Sequence, residues 1–217
     1  MMRNGMKLYY SPGAASLAVH ILLEEVGADY ETERVMIADG ENLRMPFLSI
    51  NPRGRLPALT EGGSLLRETS ALLLHLAMRH PDRGLLPPPG SAECARCLEW
   101  LAWLTSTHHV NLMHVWRPHR IAPPDAPLEA IAAMARREYE TGSEEIEQAL
   151  GEPWFLGARY SVVDPFLLFC YRQGNRIGLP MAARFPRFTA WAGRMLARPA
   201  VDRVWARERI TLEGAIL

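Results

Sequence analysis

Hydrophobic and polar residues recur along this chain in two different periods, and the change from one to the other falls near residue 80. Met6 to Tyr10 is a short apolar run closed by Ser11, Pro12 and Gly13. Behind it Leu17, Ile21 and Val26 recur at helical spacing, with His20 and Glu24 assigned to the other face. The pattern predicts a strand, a tight turn and a helix that Gly27 ends. Tyr30 to Ile37 interleaves β-branched residues with Glu31, Glu33 and Arg34, a second and partly exposed strand that completes a βαβ unit. Asn51, Pro52, Arg53 and Gly54 make a loop before Leu56 to Leu59, and Gly62 and Gly63 turn the chain into Leu65 and Leu66, which predicts a β-hairpin. Thr69 and Ser70 are placed to cap an apolar helix from Ala71 to Met78.

A stretch rich in proline and glycine, His80 to Gly90, interrupts the pattern, and beyond it the strand signals vanish. Ser91 to Trp116 carries Cys94, Leu98, Leu101, Leu104 and Thr105 on one helical stripe; further helices are expected over about Leu128 to Leu150 and Ser161 to Ile177. Strands confined to the first part and helices to the rest argue for two differently built domains. The division expected is an α/β domain over 6–80, a linker over 81–90 and an all-helical domain over 91–217.

Composition changes this picture little. The 217 residues carry 24 basic and 24 acidic side chains, so there is no basic footprint for nucleic acid. Lys7 is the single lysine, and the arginines are scattered along the chain. No apolar run approaches the roughly 18 residues that span a bilayer, and Met1 to Met6 is too short and polar for a secretory leader, so a cytoplasmic protein without membrane contact is expected. Three cysteines, Cys94, Cys97 and Cys170, favour a reducing compartment over a disulfide framework.

Specific motifs narrow the reading. Lys7-Leu8-Tyr9-Tyr10-Ser11-Pro12-Gly13-Ala14-Ala15-Ser16-Leu17-Ala18 and Asn51-Pro52-Arg53-Gly54-Arg55-Leu56-Pro57-Ala58-Leu59 are similar to the corresponding segments of the bacterial beta-class glutathione transferases. Leu98-Glu99-Trp100-Leu101 and Ser161-Val162-Val163-Asp164 resemble that family's domain-linking helix and buried capping motif. The resemblance runs from Met6 through almost the whole chain. It implies a thioredoxin-like α/β domain that holds glutathione, a helical-bundle domain that supplies the second substrate's pocket, and a two-fold homodimer. It also implies a cis Leu56-Pro57 bond that leaves Leu56 free to pair with the glutathione backbone as an added strand.

Glutathione has two carboxylates, an ammonium and a thiol. Glu68 and Thr69, at a helix start, are suited to its γ-glutamyl end, because terminal amides favour the carboxylate while Glu68 faces the ammonium. The beta-class pattern has cysteine where this chain has Ala15, so a protein thiol there cannot form a mixed disulfide. The remaining task is to stabilise the bound thiolate, with Ser16 the first choice of donor, Tyr10 the second and Ser11 the third. His109 occupies the place of a beta-class active-site histidine and shares a helical face with Leu112, Met113 and Trp116, a wall suited to a small hydrophobic electrophile. Cys94 and Cys97 have redox spacing but lie in a helix without a preceding strand, and His108, His109, His114 and His119 scatter around a helix, so no metal is expected. Ser161 to Asp164 is read as structural. The function these features point to is conjugation of glutathione to an electrophile; a glutathione-dependent isomerase and a non-catalytic interaction protein on the same fold are the alternatives.

Overall fold

The computed structural model describes residues 5–217. A four-stranded sheet carries the first part of the chain: β1 (Met6–Tyr10), β2 (Tyr30–Arg34), β3 (Ala58–Glu61) and β4 (Ser64–Arg67), in the order β2-β1-β3-β4. β1 pairs parallel with β2 and antiparallel with β3, and β3 pairs antiparallel with β4. The hairpin turn uses Gly62 and Gly63, both at positive φ, the geometry a two-residue hairpin turn asks of its central pair. β2 stops at Arg34 instead of reaching Ile37, and the chain then passes through α2 (Phe47–Ile50) before the hairpin.

Helix α1 (Ser16–Val26) connects the parallel strands, and α3 (Thr69–Arg79) follows the hairpin. The expected two-faced α1 is corrected by the structure. Its residues from Ser16 to Leu23, His20 included, are all buried, because the helix packs against α3 on one side and against the helical domain on the other. The polar side is confined to the last turn, where Glu24 and Glu25 are partly exposed and pair with Arg203, Arg207 and Arg198. Thr69 and Ser70 lie inside α3 and, among the described residues, no side chain caps it; the residue that enters it, Glu68, has φ 69°.

The helical domain contains α4 (Ala92–Trp103), α5 (His109–Trp116), α6 (Leu128–Ala149), α7 (Val163–Arg176), α8 (Met181–Arg184), α9 (Pro186–Leu196) and α10 (Pro199–Glu208). α4 and α5 form the single long helix expected, with one π-helical segment, Leu104–His108, at their junction. Such a segment shifts the facing of the helix beyond it, and here it separates the buried His108 from His109, which lines a cleft. At the start of α7 the Asp164 carboxylate is fully buried and accepts from Phe155 N–H, Ser161 N–H, the Ser161 hydroxyl and the Trp191 indole N–H, while Ser161 Oγ accepts from Val163 N–H. This is the structural motif read from the sequence. Burial outweighs those donors and leaves Asp164 above the usual carboxylate range.

One large core runs through both domains. Leu8 and Tyr10 face α1 within it, whereas Tyr9, one residue out of phase, faces Phe47 in a smaller cluster on the opposite side of the sheet.

Candidate active site

Where the loops at one end of the sheet meet α5 and α7, they enclose a cleft of about 790 Å³. From the α/β side it is lined by Ser11 and Ala15, by Leu56 and Pro57, and by Glu68 with Thr69; from the helical side by His109, Met113, Trp116 and Phe169. Residues more than a hundred positions apart thus share one wall-to-wall space.

The loop between β1 and α1 is held in place from the helical domain. Gly13 N–H donates to Glu208 Oε2 at 2.7 Å, and Gly13 O accepts from Gln173 at 2.7 Å and from Arg172 at 3.2 Å. The other Glu208 oxygen lies 2.7 Å from His20 Nδ1, with both side chains fully buried. Gly13 has φ 63°, and a Cβ there would fall 2.2 Å from the Arg172 guanidinium, so the backbone conformation and the close approach both require glycine.

The Leu56-Pro57 bond is cis, in agreement with the resemblance. β3 begins two residues later, and among the described residues nothing pairs with the Leu56 backbone. Glu68 lies 3.0 Å from Arg53 in an exposed ion pair. Exposed pairs of this kind contribute only about 0 to 1 kcal/mol, so the carboxylate is available to another cation.

On the opposite wall His109 packs edge-on to Phe169 and Phe166, with ring centroids 5.2 and 5.7 Å apart. Burial in this aromatic corner, reinforced by the Arg55 charge, pushes its pKa down to about 4, so the imidazole is neutral at pH 7 and has one N–H to donate.

A scan against family models matches residues 4–78 to the N-terminal domain of glutathione S-transferases. Over its length the chain is 31% identical to glutathione S-transferase GstA of Escherichia coli O157:H7, across 94% of this chain and 98% of that one. The chain belongs to the glutathione S-transferase family. Among solved structures, a glutathione transferase homologue from Sulfitobacter with bound glutathione superposes with a TM-score of 0.88 at 32% identity, covering 94% of this chain and 98% of that one. A bacterial beta-class glutathione S-transferase from Sphingomonas chungbukensis gives 0.79 at 30% identity, with 93% and 98% covered.

Within this glutathione S-transferase fold three residues chosen from the sequence lie away from the cleft. Ser16 is fully buried, and its hydroxyl donates to Ser11 O and accepts from Ser11 N–H, each at 3.2 Å, which secures the loop from inside. Tyr10 points into the core, 5.2 Å from the His20 ring, because alternate residues of β1 face opposite sides of the sheet. Leu112 is also fully buried: on α5 it turns inward while His109, Met113 and Trp116, spaced by four and three, turn toward the cleft. Of Tyr10, Ser11 and Ser16, only Ser11 is among the residues lining the cleft, and it is 5% exposed. Its Oγ accepts from Ile37 N–H at 3.3 Å, and among the described residues its own proton has no acceptor. Cys97 is buried in α4, pushed up to about 12 chiefly by burial, and no cysteine lines the cleft. Sequence reading missed Arg172, Gln173 and Glu208, whose roles depend on the path of helices far downstream.

Proposed function

We propose that this protein conjugates the thiolate of glutathione to a small electrophile. The observation that carries the reading is the joint cleft, which sets the unpaired Leu56 backbone and a helix start on one side against an aromatic wall with a neutral histidine on the other. Glutathione lies with its backbone along Leu56 and its γ-glutamyl end at Thr69, its ammonium at Glu68. Its sulfur lies beside Ser11 and Ala15, where the Ser11 hydroxyl and the N-terminal end of α1 stabilise the anion. With alanine at the position the beta-class pattern gives to cysteine, the protein holds the thiolate without forming a bond to it. His109 donates from the electrophile's side, next to Met113 and Trp116. In this reading residues 6–80 carry the glutathione site, 81–90 link, and 91–217 supply the electrophile wall. A two-fold homodimer would cover the exposed Met78 of α3 and Leu98 of α4, and light scattering tests it.

The experiment is calorimetric titration with glutathione, followed by conjugation assays with an activated aryl halide. Saturable binding and turnover above the solution rate are expected; binding without turnover on any of a panel of electrophiles would favour an interaction protein instead.

A further inference from the structure

The cleft is far more basic than a chain of zero formal net charge leads one to expect. Its walls carry six arginines, Arg53, Arg55, Arg67, Arg117, Arg120 and Arg176, against one carboxylate, Glu68, which already pairs with Arg53. Among the described residues no Asp or Glu pairs with any of the other five. Elsewhere on the molecule Arg184, Arg198, Arg203 and Arg207 each meet a glutamate, whereas Arg34, Arg137 and Arg209 meet none among the described residues. What sets the cleft apart is six arginines gathered on its walls with a single carboxylate.

These arginines fall into two sets. Arg53, Arg55 and Arg67 come from the α/β domain, on the side where the glutathione carboxylates are placed. Arg117, Arg120 and Arg176 come from the end of α5, the turn after it and the end of α7, next to Met113 and Trp116. Arg176 is held over the Trp116 ring, 5.0 Å from its centroid, and donates to Gln173 Oε1 at 3.2 Å; Gln173 is itself fixed to Gly13. That guanidinium keeps most of its five N–H donors free among the described residues. Arg117 is half-buried and is lowered from the usual arginine range by burial, then by Arg120 and Arg55, as expected for gathered cations lacking a counter-ion.

Resting on the conjugation reading, we propose that the second substrate is an electrophile bearing a carboxylate, which Arg117, Arg120 and Arg176 bind while its apolar reactive ring lies against Met113 and Trp116. Arginine suits this task because its planar fork matches a carboxylate with two parallel hydrogen bonds. With an aryl chloride, the glutathione sulfur forms the new bond to the ring carbon and chloride leaves with the electron pair of the bond that breaks. The thiol proton passes to solvent, and the carboxylate is a spectator that orients the ring.

Binding and turnover are measured with matched pairs. Unreactive meta-nitrobenzoate and its neutral benzamide are titrated into glutathione-saturated protein, and para-chloro-meta-nitrobenzoate and its benzamide are compared as substrates. The benzoate should bind about tenfold more tightly than the benzamide, with a preference that weakens as salt is raised. In the R117Q/R120Q/R176Q variant the two should bind within about twofold of each other, while R117K/R120K/R176K retains part of the preference through charge alone. Equal binding of benzoate and benzamide to the unmodified protein overturns the proposal. So does a preference that survives the glutamine variant, or a glutamine variant that loses glutathione affinity with the preference intact. A benzoate preference in binding, with neither aryl chloride turned over, upholds the anion site and contradicts conjugation.

Discussion

At the scale of single residues, the cleft separates side chains that the sequence grouped together. Ser11, Ser16 and Tyr10 all stand near the end of β1, yet only Ser11 reaches the cleft wall. A Ser16→Ala substitution should therefore loosen the loop, by about 1 kcal/mol or somewhat more in chemical denaturation, without the direct effect on glutathione that Ser11→Ala has. Glu68→Ala should weaken glutathione by roughly 1.5 to 3 kcal/mol, the range for a hydrogen bond to a charged group, read as the calorimetric dissociation constant. His108 supplies a different test. It is 1% exposed, stacked between Tyr139 and Trp103, and among the described residues neither ring nitrogen has a partner. Burial pushes its pKa down to about 3, so the unfolded chain binds the proton more readily below pH 6.5 and stability falls as the pH drops. By pH 5 this group alone removes on the order of 2 kcal/mol. His108→Phe should be close to neutral at pH 7 and should flatten the loss of melting temperature between pH 7 and 5; an unaltered slope would mean that other groups set the acid sensitivity.

At the scale of elements, the sequence was legible where a single segment decides its own structure. The βαβ unit, the hairpin turned by Gly62 and Gly63, the helices and the Ser161 to Asp164 motif could all be read because local periodicity and turn chemistry determine them. Two errors had one cause. His20 was assigned to a polar face and Leu112 to the cleft, because helical spacing defines a face without saying what packs on it. α1 is covered on all sides from Ser16 to Leu23, and α5 turns Leu112 inward beyond the π-helical segment. The clamp on Gly13 was illegible for the same reason, since its partners on α7 and α10 are brought to it by the tertiary fold. Glu208→Ala would leave both Gly13 N–H and buried His20 without their acceptor. A loss of roughly 2 to 6 kcal/mol in equilibrium unfolding is expected, from two buried groups at about 1 to 3 kcal/mol each.

At the scale of the whole molecule, balanced charge conceals an unbalanced cleft, because arginines scattered along the chain converge where the two domains meet. The same convergence brings the α/β loops and the aromatic wall to one site, and on it rests the claim that glutathione is activated there by a hydroxyl and a helix end. The direct measurement is a pH titration of thiolate absorbance with glutathione bound, in the unmodified protein and in Ser11→Ala, Ser16→Ala and His109→Ala. Bound glutathione should ionise well below the value of about 8.5 typical of a free thiol. Ser11→Ala should move that midpoint toward alkali, whereas His109→Ala should leave it nearly in place and alter turnover instead. A bound thiol that ionises no more readily than in water, or a midpoint indifferent to Ser11 and sensitive to Ser16, would contradict the site described for this chain.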